Sequence, residues 1–139
     1  MQISTDSLTP MLKGKLVYVC SPLRAPSNDG IIRNMEAAAD YSNRISSLIG
    51  CRAVAPHSFL PKYFDDNVPA ERQVCLDFGL SVLKLCAAMF ICGNSISSGM
   101  QGEINLAKEL GIPIFVFKDY AGDIFCGYSH LEEGMEYDG

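Results

Sequence analysis

The chain has 139 residues, 48% of them apolar and 19% charged, with a formal net charge of −5. That composition suits one soluble domain with a core of its own and excludes a largely disordered chain. It also argues against a duplex nucleic acid as partner, since phosphate binding needs a clustered basic face.

The first residues, MQISTDSLTPML, lack the charged and apolar blocks of a secretory signal, and no apolar run is long enough to span a bilayer. A cytoplasmic protein without membrane association is the expectation. Six cysteines lie mostly in apolar runs, with no C-x-x-C pair, and read as buried reduced thiols.

Four near-continuous apolar runs read as strands covered on both faces: 16–20 (LVYVC), 52–55 (RAVA), 89–92 (MFIC) and 112–117 (IPIFVF). Between them the spacing predicts three helices. The first, over 31–49, places Ile32, Met35, Ala39, Ser42, Ile45 and Ile49 at three- and four-residue steps. The second, over 70–85, gathers Val74, Leu76, Leu80, Leu83 and Leu85 in a broad apolar face. The third, over 99–110, sets Ile104, Ala107 and Leu110 on one side and Glu103, Lys108 and Glu109 toward the other.

Gly50 after the first helix, and Gly111 with Pro113 after the third, are stop signals. Strands alternating with helices predict a small three-layer α/β sandwich with a mostly parallel sheet of four to five strands, flavodoxin-like in class. The acidic tail, 118–139, loses periodicity; a last short element over 124–131 and a frayed end are expected there.

In such sheets ligands sit beyond the carboxyl ends of the strands, where chain order reverses. The loops expected at that rim are 21–30, 56–69 and 93–102, and they hold Arg24, His57, Lys62, Asp65, Asp66, Ser97 and Ser98. The first loop has neither G-x-G-x-x-G nor a Walker lysine, so no dinucleotide cofactor is implied. Arg24, just past a strand end, is placed either to grip an anion or to be solvated.

In the third loop Gly99 and Gly102 let backbone approach a ligand, and Ser97 and Ser98 bring hydroxyls to a helix start. Glu103 has two readings there: an acid capping the helix, or a reactive group facing a ligand. His57 could meet a nucleobase or supply a proton. A metal held by Cys20, Cys92 and His57 has no recognised spacing behind it, and no metal is expected. Phe59, Tyr63 and Phe64 suit either base stacking or pinning the second loop.

Val17-Tyr18-Val19-Cys20-Ser21-Pro22-Leu23-Arg24 and Ser97-Ser98-Gly99-Met100-Gln101-Gly102-Glu103 together resemble the first-strand loop and the catalytic loop of the nucleoside 2-deoxyribosyltransferase-like superfamily. That superfamily includes deoxynucleoside 5′-monophosphate N-glycosidases, and the chain is similar to a branch of it found in bacteria and phages. The stretch 86–91 (CAAMFI) and Ala107-x-x-x-Gly111-x-Pro113 fit as well, and the likeness covers roughly 15–117.

The resemblance implies cleavage of an N-glycosidic bond with Glu103 as nucleophile and Tyr18 beside the sugar. Arg24 and Ser97 would hold a monophosphate where the substrate carries one. The implied substrate-binding set is Ser21, Arg24, His57, Ser97, Ser98, Gly99 and Met100, with a nucleoside or nucleotide as partner, no cofactor, and assembly as a homodimer or larger. One departure stands out: Gly79 and Ala87 occupy positions where relatives carry acids. Asp77, Asp65 or Asp66 could replace them; otherwise the chain binds a nucleotide derivative without cleaving it, or keeps the fold for association alone.

Overall fold

The computed structural model describes residues 2–118, 123–126 and 136–138. In chain order the elements are β1 (Gln2–Ile3), α1 (Thr5–Leu12), β2 (Leu16–Cys20), α2 (Asn28–Ile49), β3 (Arg52–Val54), short 3-10 turns at Pro56–Ser58 and Leu60–Lys62, and α3 (Pro69–Leu83). There follow β4 (Ala88–Cys92), β5 (Ser95–Ser97), α4 (Ser98–Glu109), β6 (Ile114–Lys118), β7 (Asp123–Cys126) and β8 (Glu136–Asp138).

The main sheet has six strands in the order β1-β7-β6-β4-β2-β3. β3, β2, β4 and β6 run parallel, while β7 is antiparallel to both β6 and β1. The predicted α/β class and the four parallel strands hold. Two more strands extend the sheet, and β5 pairs separately with β8. The expected frayed end is corrected at 136–138, which form β8; of the expected element over 124–131, residues 127–131 lie outside the described residues.

Alternation along the strands sorts their side chains to two faces. Val17, Val19, Phe90, Cys92, Phe115 and Phe117 pack under α1 and α2 with Leu8, Leu12, Tyr41, Ile45 and Ile49. Tyr18, Cys20, Met89, Ile91 and Val116 pack under α3 and α4 with Leu83, Met100, Ile104 and Ala107. Helices thus cover both faces of a sheet whose two central strands, β2 and β4, are apolar throughout.

Ser27 caps α2, its hydroxyl accepting from Gly30 N–H at 3.1 Å, and Gly50 closes the helix at φ 80°. The buried stripe of α2 is Gly30, Ala38, Tyr41, Ile45 and Ile49. Ile32 is exposed, and of the face its spacing suggested only Ile45 and Ile49 are fully buried, the stripe running instead through Ala38 and Tyr41. In α3 only Gly79 and Leu83 are buried, while Val74 and Phe78 are exposed, as is Leu85 just past its end, short of the predicted 70–85. No helix among the described residues is long and apolar enough to cross a membrane.

β3 lies on one side of β2 and β4 on the other, so the chain order reverses between β2 and β4. Their carboxyl ends open the crevice that such sheets use for ligands. Gly93, at φ 96°, brings the loop after β4 against the loop after β2: a Cβ there would stand 3.0 Å from Pro22 Cδ.

Candidate functional site

Tyr18 and Cys20 are two residues apart on β2, so both face α4. On α4 the buried positions are Met100, Glu103, Ile104 and Ala107, which fall at three- and four-residue steps on one face. Glu103 therefore belongs to the stripe that packs on the sheet, not to the solvent side where its charge alone would put it. It is 5% exposed.

The capping reading of Glu103 is corrected by the position of the helix start. Ser97 is the N-cap, its hydroxyl accepting from Met100 N–H at 3.2 Å, and the Met100 sulfur lies 3.4 Å from Ser97 N–H. No acid lies in the first turn. Glu103 is past it, too far along to reach the free N–H groups at the helix end.

Burying a carboxylate is costly unless donors meet it. The Tyr18 hydroxyl donates to Glu103 Oε2. His57 Nε2 lies 3.6 Å from Oε1, and the Cys20 thiol points at the same oxygen from 3.7 Å. Burial, and then the Glu103 charge, raise the Tyr18 phenol far above its ordinary value, which keeps it a hydrogen-bond donor. Burial likewise raises the Cys20 thiol, so no thiolate competes with the carboxylate. For His57, burial works to lower the imidazole value, but the hydrogen bond and charge of Glu103 and the charge of Asp66 outweigh it, and the net shift is upward.

Two adjoining cavities open over this group. One, of about 300 Å³, is lined by Tyr18, Glu103, Gly79 and His57, with Pro56, Cys75, Leu76 and Leu80 as apolar wall. The other, of about 460 Å³, is lined by Arg24, Arg72, Asp66 and the residues 97–100 that start α4. Leu23, His57, Asp66, Arg72, Leu76, Ser98 and Gly99 border both, so they form one continuous hollow. One end is apolar beside a buried carboxylate; the other carries two guanidinium groups and free helix N–H groups.

Of the residues singled out in the sequence, Tyr18, Arg24, His57, Ser97, Ser98, Gly99, Met100 and Glu103 all border that hollow. Ser21 does not: it is buried, and its hydroxyl has no hydrogen-bond partner among the described residues. Asp77 accepts from Gln73 Nε2 at 2.8 Å on the exposed side of α3, and Asp65 accepts from Asn67 N–H at 2.9 Å, so neither carboxylate fronts the hollow. Phe59 packs edge-on against Phe78, with ring centroids 6.1 Å apart, and so pins the loop. Tyr63 and Phe64 line a different depression.

Cys20 and Cys92 fall in the two different cores. Among the described residues no group of three or more His, Cys, Asp or Glu is placed to hold a metal ion. Cys20, Cys51, Cys75, Cys86 and Cys92 are free thiols.

Arg72 and the use made of Gly79 escape the sequence reading. Arg72, Leu76, Gly79, Leu80 and Leu83 follow one another at helical steps, and that register is the signal that marks Arg72 as sharing the inner face. Gly79 lets α3 approach the Tyr18–Glu103 pair: a Cβ there would lie 2.9 Å from the Tyr18 hydroxyl and 3.6 Å from Glu103 Oε2. Ala87 packs toward the α1/α2 core, away from the hollow.

Among solved structures the chain is similar to a 2-deoxyribosyltransferase from the psychrotolerant bacterium Bacillus psychrosaccharolyticus, with a TM-score of 0.54 and 16% identity over 73% of this chain and 71% of that one. At that identity the likeness is one of fold. No curated protein matches the chain. A family described as a domain of unknown function (DUF7768) matches residues 15–117, which hold both cavity-lining motifs and the four parallel strands. With that match running over well more than half of its length, the chain belongs to the DUF7768 family.

Proposed function

We propose that the protein cleaves the N-glycosidic bond of a nucleoside or nucleotide, with Glu103 as nucleophile, passing the sugar to water or to a second base. The observation that carries this reading is the buried Glu103 carboxylate, oriented by Tyr18 at the floor of a hollow whose far end holds arginines. The fold shared with a 2-deoxyribosyltransferase supports it.

The chemistry suits these groups. As the bond from the anomeric carbon to the base nitrogen breaks, positive charge grows on the sugar, and a carboxylate beneath it bonds to that carbon. The bonding electrons leave with the base. His57, the imidazole whose value is raised, borders the same cavity and protonates the departing base. Water, or an incoming base, then attacks the same carbon, giving its proton to the now neutral His57, and the carbon–oxygen bond to Glu103 breaks to restore the carboxylate. In this arrangement His57 does the work that a carboxylate at position 79 would otherwise do.

Purified protein is incubated with a panel of 2′-deoxynucleosides and their 5′-monophosphates, and free base is measured. Release of base from at least one member is expected, falling about 10³-fold or more in Glu103→Gln while that variant remains folded. Folded protein with no turnover on any member refutes the reading.

A binder without turnover is the second reading, favoured by Gly79: among the described residues, besides Glu103 only Asp66 brings a carboxylate to the hollow, and it sits between two arginines. It predicts raised melting with a nucleotide and no base release. Association of copies through the exposed Phe78 of α3 and Leu85 just past its end belongs to the same proposal, and the mass in solution tests it.

A further inference from the structure

Arg24, from the loop after β2, and Arg72, from α3, share a single carboxylate. Asp66 Oδ2 lies 3.5 Å from Arg24 Nε, and Asp66 Oδ1 lies 3.8 Å from Arg72 Nε. Asp66 is held in place by its neighbours: Asp65 accepts from Asn67 N–H at 2.9 Å, and Glu71 of α3 accepts from Asp65 N–H at 3.1 Å. The turn is thereby tied to the start of α3, and the Asp66 carboxylate, 19% exposed, is presented to the hollow.

The contacts are not those of a tight arginine–carboxylate fork. The Nε atoms stand 3.5 and 3.8 Å from the carboxylate oxygens, beyond the about 2.7–2.9 Å of a strong charged hydrogen bond. Neither arginine has another ion pair among the described residues, and their side chains are 58% and 34% exposed. Two positive groups thus face one loosely held negative one beside Ser97, Ser98 and the N–H groups that open α4. A surface ion pair of this kind contributes little to stability.

We propose that Arg24 and Arg72 form a cradle for the phosphoryl group of the ligand, and that Asp66 is its built-in occupant, displaced when that group enters. Arg72, which belongs to neither sequence motif, is the second half of the clamp. The carboxylate sets the affinity: a singly charged carboxylate yields to a phosphoryl group carrying close to two charges, while a ligand without one leaves the arginines bridged. The inference rests on the proposed function only for calling the ligand a sugar phosphate; it concerns binding, so it can fail while base release succeeds, and the reverse.

The test is calorimetric titration with 2-deoxyribose 5-phosphate, which has no base to lose, and with 2-deoxyribose as control. The unmodified protein is expected to bind the phosphate at least about tenfold more tightly than the sugar. Asp66→Asn should tighten phosphate binding at least about threefold, and Arg72→Gln should weaken it about tenfold, with Arg72→Lys between. Asp66→Ala carries the same expectation as Asp66→Asn should the amide misfold. Phosphate binding that is unchanged or weaker without the Asp66 carboxylate, or undiminished in Arg72→Gln, overturns the proposal.

Discussion

At the scale of single residues, His57 is the group whose protonation the account depends on. It faces Glu103 of α4, Asp66 of the turn before α3 and, across the hollow, Arg72 of α3. Its folded value lies above the ordinary 6.5. Stabilisation by the His57–Glu103 pair is therefore fully present below 6.5 and is lost as pH rises through the higher folded value. Melting of the unmodified protein followed from pH 5 to pH 9 should show this decline, and His57→Gln should lack it. Base release should fall over the same alkaline range, and in His57→Gln it should be low and without that limb; parallel profiles for the two proteins would remove His57 from the reaction. Most of the lining was legible as residue types at a strand end and a helix start: Tyr18, Arg24, Ser97 and Glu103 stand in two short motifs. Ser21 was misread because a loop serine next to a strand gives no sign of which way its hydroxyl turns. Asp66 appeared only as a spare acid, since no local pattern tells that two arginines from different elements will reach it.

At the scale of elements, α3 crosses β2 closely enough that glycine is needed at position 79. Gly79→Ala would gain about 1 kcal/mol of helix propensity. Against that, its Cβ would press from 2.9 Å on the Tyr18 hydroxyl, which is held by its hydrogen bond to Glu103. Overpacking of this kind costs about 1–3 kcal/mol. Chemical denaturation should show a net loss of about 1 kcal/mol, with a larger proportional loss of base release as Tyr18 is pushed off Glu103; a stabilised variant of full activity would contradict the contact. The four parallel strands and the three crossover helices could be read because apolar runs mark the strands and helical spacing the helices, with glycine stops after α2 and α4. β1, α1, β5 and β8 were not. α1 has eight residues with Pro10 inside, and it is stabilised by burying Leu8 and Leu12 rather than by local preference. The two- and three-residue strands exist only through partners far along the chain. The faces of α2 and α4 were partly misassigned because an apolar residue can lie exposed, as Ile32 and Leu110 do, and a charge can lie buried, as Glu103 does.

For the whole molecule, the sheet order places a carboxylate from one helix and guanidinium groups from a loop and another helix around a single hollow at the β2–β4 reversal. That convergence is what the sequence could suggest only through the order and spacing of its motifs. The account's central claim is that Glu103 bonds to the sugar, and the most direct test is mass spectrometry of the protein quenched in acid during turnover of a substrate found in the base-release panel. The account predicts that the mass of the sugar unit, with its phosphate where the substrate carries one, is added to the peptide containing Glu103 and is absent in Glu103→Gln. Turnover with the sugar attached to another residue, or an adduct that persists in Glu103→Gln, would contradict it.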